Sequence, residues 1–275
     1  MGSPDMQTYE TFLVNKADHI ATIRFNRPQK LNPINLQVML DLEAISRDLE
    51  TDYDIRVVVM TGEGRSFSVG ADFASLREPL EQGAGEDPRS VREQQLTTVQ
   101  ATRALNALEA LPQVTIAMVN GFAVGGGLSL MMSCDFRLAA ESATMWIPEV
   151  DLGVTYMWNS LPRLITLVGA AKTRELVMLG DRISAREAFE IGLVNRVVPD
   201  AELNAATMAL AQRLSGKPPL ALQRTKAQIN ALAALRSGDM TFAEIDMGHL
   251  CSYSADGRES REAYFDKRSP MFEGR

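Results

Sequence analysis

Histidine and cysteine are scarce in this chain of 275 residues, with two of each. His19 lies in the alternating stretch DHIATIRF and His249 in the helical-looking EIDMGHL. Neither has a metal-ligating companion at i+3 or i+4. That removes most Ser-His-Asp, Cys-His and His-rich metal chemistry, so any catalysis is expected to rest on carboxylates and backbone dipoles. Cys134 and Cys251 lie far apart and form no C-x-x-C pair. Reduced thiols in a cytoplasmic setting are the simplest reading. No Lys/Arg-rich block interrupts a chain of net charge −7, so no nucleic-acid partner is expected. No apolar run reaches the roughly 18 residues of a membrane span, and no basic-then-apolar segment opens the chain. A cytoplasmic location without membrane contact is the expectation. Phosphate loops are missing too: G-x-x-x-x-G-K-[ST] does not occur. Gly125 and Gly127 begin a G-x-G-x-x-G string whose third position is Leu130.

What is present is ample apolar material, 45% of residues, against 23% charged. That suffices for one large core, or a core with a helical appendage. TFLVNKADHIATIRFN reads as two short strands with a turn at Asn15–Asp18. Apolar residues recur at helical spacing from Leu36 to Leu49. IRVVVMTG and PQVTIAMVNG read as buried strands, DFRLAA and ATMWI as short ones. Helices are expected over Ser90–Leu111 and Leu128–Met132, and a further one after Asp72, which is placed like its N-cap. Beyond Leu161 the pattern is almost all helical. An α/β first half followed by a helical second half is the predicted architecture.

The string GFAVGGG at 121–127 puts three consecutive glycines at a helix start. Glycine costs about 1 kcal/mol relative to alanine inside an element. One reading is close packing of the helix start against a strand. The other is that bare backbone N–H groups there face a ligand oxygen. VVVMTG…SFSVGAD and TIAMVNGFAVGGG each run an apolar strand into a glycine-bearing turn and then a helix. If the two strands are parallel neighbours, the N–H groups of Ala71 and Gly126 converge from one sheet edge on a single point, as an oxyanion hole requires.

Five motifs then occur in order: FNRPQKLNPIN, TGEGRSFSVGADF, AMVNGFAVGGGLSLMMSCDFRLA, PEVDLGV and REAYFDKRSPMFEGR. Together, from about residue 8 to 275, they resemble the enoyl-CoA hydratase/isomerase (crotonase) family. The resemblance implies a spiral core of ββα units over 8–200 with the acyl-CoA site, and a C-terminal helical trimerisation region over 201–275. It implies a homotrimer or hexamer, an acyl-CoA substrate, and no cofactor beyond the coenzyme A of that substrate. The thioester carbonyl would be held by the N–H groups of Ala71 and Gly126. Ser68, Gly70, Asp72, Phe73, Gly125 and Ser129 would bind the substrate around it.

The family's hydratases use two glutamates 20 residues apart. Here those positions are Ser129 and Glu149. One carboxylate suits double-bond migration, in which a proton leaves one carbon and returns to another. Hydration or dehydration, and catalytically silent acyl-CoA binding, are the alternatives. Past Glu149, the family's small Gly-rich stretch is replaced by VTYMWNS, which places Tyr156 and Trp158 as a bulky wall of the acyl pocket. Asp151, two residues past Glu149, would face the same side and assist if that stretch is extended, and Asp135 reads as structural. Lys267 and Tyr264 fall where the family meets the coenzyme A phosphates and chain. Some of the family's coenzyme A lysines are missing: Gln29 and Ala74 stand in their places, with Lys30 next to the first.

Overall fold

Two strands with no polar alternation, VVVMTG and VTIAMV, are buried along their whole length and pair in parallel at the centre of a sheet. Burial on both faces is what a continuous apolar strand requires. The computed structural model describes residues 5–72, 91–237 and 241–274. Strands β1 (Asp5–Thr8), β2 (Phe12–Ala17) and β3 (Ile20–Phe25) form an antiparallel edge. Helix α1 (Leu36–Glu50) follows, with Val38, Leu42, Ile45 and Leu49 buried and Asn35 accepting the Val38 N–H as its cap. Then come β4 (Val57–Gly62), β5 (Ser66–Ser68) and α2 (Val91–Ala110). The next unit is β6 (Val114–Val119), β7 (Phe122–Val124) and α3 (Gly126–Met132). The third is β8 (Phe136–Ala140), β9 (Thr144–Trp146) and α4 (Ser160–Leu179), which is broken at Gly169.

With two later strands, β10 (Ile183–Ser184) and β11 (Arg196–Val198), each of these units places its first strand in a seven-stranded sheet, ordered β1-β2-β3-β4-β6-β8-β11, and its second in a four-stranded sheet, β10-β9-β7-β5. The chain therefore advances by one strand in both sheets per strand–strand–helix turn, which is the expected spiral. The corners between the sheets are tight. A side chain on Gly62 or Gly121 would overlap the Ser66 or Arg65 carbonyl. The Asn32 and Asn120 amides donate to corner carbonyls, including Ser66 O at 2.8 Å and Gly64 O at 2.8 Å. Phe25 packs on Phe12 at 4.6 Å and on Phe67 at 5.9 Å between ring centroids, joining the sheets through one apolar core.

The C-terminal part contains α5 (Ala185–Glu190), α6 (Leu203–Ser215), α7 (Pro219–Ser237), α8 (Thr241–Tyr253) and α9 (Ala255–Asp266). Leu203, Leu210 and Ala211 of α6 belong to the same core as the sheet, so core packing runs past residue 200. Lys226 of α7 is buried. It pairs with Asp135 at 2.8 Å and donates to Gln113 O at 2.9 Å. Asp135 also accepts the Thr115 N–H at 2.7 Å, so its role is to tie α7 to the sheet.

Three local expectations are corrected. The hairpin turn lies at Asp18–His19, both at positive φ (49° and 67°), as a two-residue hairpin loop demands, and not at Asn15–Asp18. Helix α3 begins at Gly126, two residues before Leu128. The helical half also contains two strands, β10 (Ile183–Ser184) and β11 (Arg196–Val198), which are edge strands of the two sheets. Among the described residues no helix is long and apolar enough to cross a membrane.

Candidate active site

Strands β5 and β7 pair in parallel, Ser66 opposite Phe122 and Ser68 opposite Ala123, so the turns that follow them leave one edge of the small sheet together. Gly70, at φ 78°, lets them touch. A side chain there would come within 2.5 Å of Val124 O and 3.1 Å of Gly126 N. Orientation follows from hydrogen bonding. Ile34 N donates to Gly70 O at 2.7 Å, and Asp72 N donates to Ile34 O at 2.9 Å. The Gly70 carbonyl therefore faces Ile34. Across a trans peptide the next N–H, that of Ala71, faces the opposite way. The same holds for the second turn. Gly125 O accepts from Ser129 N, Ser129 Oγ and Tyr156 Oη, so the N–H of Gly126 faces away from those groups.

Each glycine of the triplet has its own neighbour. A side chain on Gly125 (φ 47°) would overlap Oε1 of Glu149, one on Gly126 the Trp158 ring, and one on Gly127 the Ser68 carbonyl. The triplet is thus a close-packing device, and what it packs against includes both the carboxylate and the wall expected at the site.

Glu149 sits in a turn in which Leu152 N and Val154 N donate to its carbonyl at 3.1 and 2.9 Å. The residue is half-buried as a whole, but Oε2 is enclosed and has no hydrogen-bond partner among the described residues. Burial pushes its pKa up to about 8. An enclosed carboxyl with a high proton affinity and a vacant acceptor oxygen is the arrangement of a general base. The turn also decides Asp151: the segment is not extended, and Asp151 is exposed and packs beside Gly180, away from the carboxyl.

Ser129 does not reach an open surface. It is fully buried, 2.9 Å from Tyr156 Oη and 2.7 Å from Ser160 Oγ, which donates to it. Tyr156, expected in the pocket wall, is 3% exposed, with its hydroxyl in this cluster. Burial, reinforced by the charge of Glu149, raises its phenol pKa. Trp158 is half-buried, and its six-membered ring lies on Gly126. Trp158 and Asn159 both have positive φ, 65° and 54°, which is uncommon outside glycine and strained for a bulky residue. Two buried charged groups hold that turn. Arg163 donates to Trp158 O and Asn159 O at 3.2 and 2.9 Å and pairs with Glu109 at 2.6 Å. Glu244 of α8 accepts the Asn159 N–H at 2.7 Å. Sequence reasoning assigned nothing to Arg163, Glu244 or Ser160, and contacts across as many as 85 residues leave no local signal.

The remaining predicted residues divide between turn and surface. Ser68 is buried and builds the first turn: Oγ donates to Asn32 O at 2.7 Å and accepts from Gly70 N at 3.2 Å. Asp72 pairs with Arg27 at 2.9 Å. Phe73, Ala74 and the helix expected after Asp72 lie outside the described residues. Lys30 is exposed at the end of a 3-10 turn, Pro28–Lys30. Tyr264 and Lys267 are exposed at the end of α9. Cys134 is core, and burial pushes its thiol up to about 12. Among the described residues no group of three His, Cys, Asp or Glu side chains is placed to hold a metal.

A spiral of strand–strand–helix units, with two glycine turns and one enclosed carboxyl at a sheet edge, can be compared with known proteins. The sequence pattern of the enoyl-CoA hydratase/isomerase family matches residues 15–275. The chain belongs to that family. It is 33% identical over 265 residues to the crotonyl-CoA hydratase of Syntrophomonas wolfei, covering 96% of this chain and 98% of that one. It is 32% identical over 260 residues to the mitochondrial Delta(3,5)-Delta(2,4)-dienoyl-CoA isomerase of Pongo abelii, covering 92% of this chain and 77% of that one. Among solved structures, an enoyl-CoA hydratase from Mycobacterium avium subsp. paratuberculosis superimposes with a TM-score of 0.83 at 27% identity, covering 97% of this chain and 100% of that one. Similarity thus runs to a hydratase and an isomerase alike, and the chemistry has to be read from the site.

Proposed function

We propose that the protein is an enoyl-CoA isomerase. Ala71 and Gly126 donate their N–H groups to the thioester oxygen, and Glu149 is the one acid/base. Glu149 takes a proton from the carbon next to the thioester carbonyl of a 3-enoyl-CoA. The resulting dienolate carries its charge on the thioester oxygen, where two fixed donors stabilise it. The same carboxyl returns the proton two carbons further along, giving the 2-enoyl-CoA. The observation that carries this reading is the enclosed Oε2 of Glu149, without a hydrogen-bond partner among the described residues, beside the Gly125–Gly126 turn, with a sealed serine where a second carboxylate would stand. No cofactor beyond the coenzyme A of the substrate is required. Lys30, Tyr264 and Lys267 are exposed side chains suited to the coenzyme A phosphates and chain. The catalytically silent reading is disfavoured by Glu149, because an enclosed carboxyl without a partner is costly to keep in a binding protein.

Hydration of a 2-enoyl-CoA is the second reading, favoured by the hydratase among the relatives. The test measures both reactions. Wild type is expected to convert a 3-enoyl-CoA faster than it hydrates crotonyl-CoA. Ser129→Glu alone is expected to gain no hydration, because Tyr156 Oη stands 2.9 Å from Ser129 Oγ and leaves no room for a carboxylate and water. Ser129→Glu combined with Tyr156→Gly opens that space and is expected to raise hydration by about 10²-fold, the low end of what a general acid–base group contributes. The wall to remove is therefore Tyr156. Faster hydration than isomerisation by the wild type would establish the second reading.

A cytoplasmic homotrimer or hexamer, with no nucleic-acid partner, completes the proposal. Leu220, Ile229, Leu232 and Leu250 on α7 and α8 are 60–76% exposed on the single chain, an apolar surface that subunit contact would cover. Light scattering at micromolar concentration is expected to give three or six times the 30.2 kDa chain mass, and a monomer would refute this.

A further inference from the structure

The Gly125–Gly126 peptide has two ends, and only its N–H end has been given a role. Its carbonyl end has three donors within hydrogen-bond distance: Ser129 N at 3.0 Å, Ser129 Oγ at 3.2 Å and Tyr156 Oη at 3.2 Å. Behind them Ser160 Oγ donates to Ser129 Oγ at 2.7 Å. Each hydroxyl has one proton to give. With Ser160 donating to Ser129, Ser129 gives its proton either to Gly125 O or to Tyr156. In the second case Tyr156 gives its own to Gly125 O. Every such arrangement delivers at least one hydroxyl proton to that carbonyl. The cluster is also sealed from bulk solvent, with Ser129 and Ser160 at 0% and Tyr156 at 3% exposure.

We propose that Ser129, Ser160 and Tyr156 are positioning residues for the oxyanion donor: their hydroxyl relay polarises the Gly125–Gly126 peptide and fixes its plane, making Gly126 N–H a stronger donor to the thioester oxygen. The physics is the mutual strengthening of hydrogen bonds in a chain, about 10–30% per bond in a low-dielectric setting. A carbonyl that accepts hydrogen bonds shifts its amide toward the charge-separated form, in which the nitrogen proton is more positive. Three buried hydroxyls are otherwise an expensive choice for a core, since each must be satisfied or carry a desolvation penalty. Burial keeps the Tyr156 phenol protonated, and so a donor, across the working pH range. The position that lacks a carboxylate is then still used, from behind the oxyanion hole.

The inference rests on Gly126 N–H being a thioester donor, and the experiment separates the two claims. Isotope-edited vibrational spectra of an enoyl-CoA labelled at the thioester carbonyl report how strongly that carbonyl is polarised when bound. Wild type is expected to shift the carbonyl stretch to lower frequency than in free solution. Tyr156→Phe, which keeps the ring, and Ser129→Ala are each expected to lose part of that shift. They should lower kcat about 10-fold with little change in KM, a fraction of the roughly 10²–10³-fold that loss of a whole donor costs. Ser160→Ala, one bond further back, is expected to give a smaller change in the same direction. A full wild-type shift in all three variants would overturn the relay while leaving the oxyanion hole standing. No shift in the wild type would overturn both.

Discussion

Glu149→Gln is expected to lower turnover of a 3-enoyl-CoA by about 10²–10⁴-fold, the contribution of a positioned general acid–base group, without unfolding the protein. Glutamine keeps the shape that packs on Gly125 but cannot take a proton. The wild-type pH profile should carry the same signature. Burial raises the Glu149 pKa to about 8, so the ionised base is the minority form at pH 6 and the majority form only above pH 8. Activity per free enzyme, kcat/KM, is expected to rise about tenfold per pH unit and to level off near pH 8. Stability should move the other way. A carboxyl whose folded pKa lies above its unfolded value of about 4.3 favours the folded state fully below that value. That contribution is lost as pH rises through about 8. Glu149→Gln is therefore expected to melt above the wild type at pH 9, with the difference closing toward pH 5. A profile flat between pH 6 and 9, with an equally stable variant, would show that Glu149 is neither buried in its charged form nor the base.

The parts of this site that were legible in the sequence are those that local pattern determines. Two apolar runs ending in glycine turns, VVVMTG and TIAMVNG, announce buried parallel strands. Parallel neighbours must release their turns at one edge, which pairs the N–H groups of Ala71 and Gly126. Glu149 and Ser129 came from the resemblance to the family, whose two glutamate positions they occupy. The rest depends on contacts that sequence distance hides. The Asp72 carboxylate meets Arg27, 45 residues earlier, a contact that no local pattern shows. Tyr156 reads as wall because VTYMWNS is bulky. Nothing local shows that two non-glycine residues in a row, Trp158 and Asn159, turn left-handed. That turn is held by Arg163 and Glu244, and it sets the Trp158 ring on Gly126 while Tyr156 points inward to Ser129. Strands β10 and β11 are two and three residues long, too short for alternation to register against the surrounding helical pattern.

The contact between Trp158 and Gly126 also determines how the oxyanion donor must be tested. Gly126→Pro deletes the N–H, since proline has none. Any side chain at 126 would also collide with the indole, so loss of activity in that variant alone has two causes. Trp158→Ala removes the collision, and the decisive pair is made in that background. Gly126→Ala/Trp158→Ala keeps the N–H and has room for its methyl. It is expected to turn over a 3-enoyl-CoA at close to the rate of Trp158→Ala itself. Gly126→Pro/Trp158→Ala has the same room and a ring tolerated at the first position of a helix, but no donor. It is expected to fall about 10²–10³-fold in kcat, the cost of one oxyanion-hole donor. Single Gly126→Ala should be impaired through displacement of Trp158 and recover when that ring is removed, an interaction of the kind double-mutant cycles isolate. Circular dichroism and light scattering confirm that both double variants are folded before the rates are compared. Equal rates for alanine and proline at 126 would take Gly126 out of the catalytic site, and the triplet would then serve only the close packing of strand, wall and carboxyl.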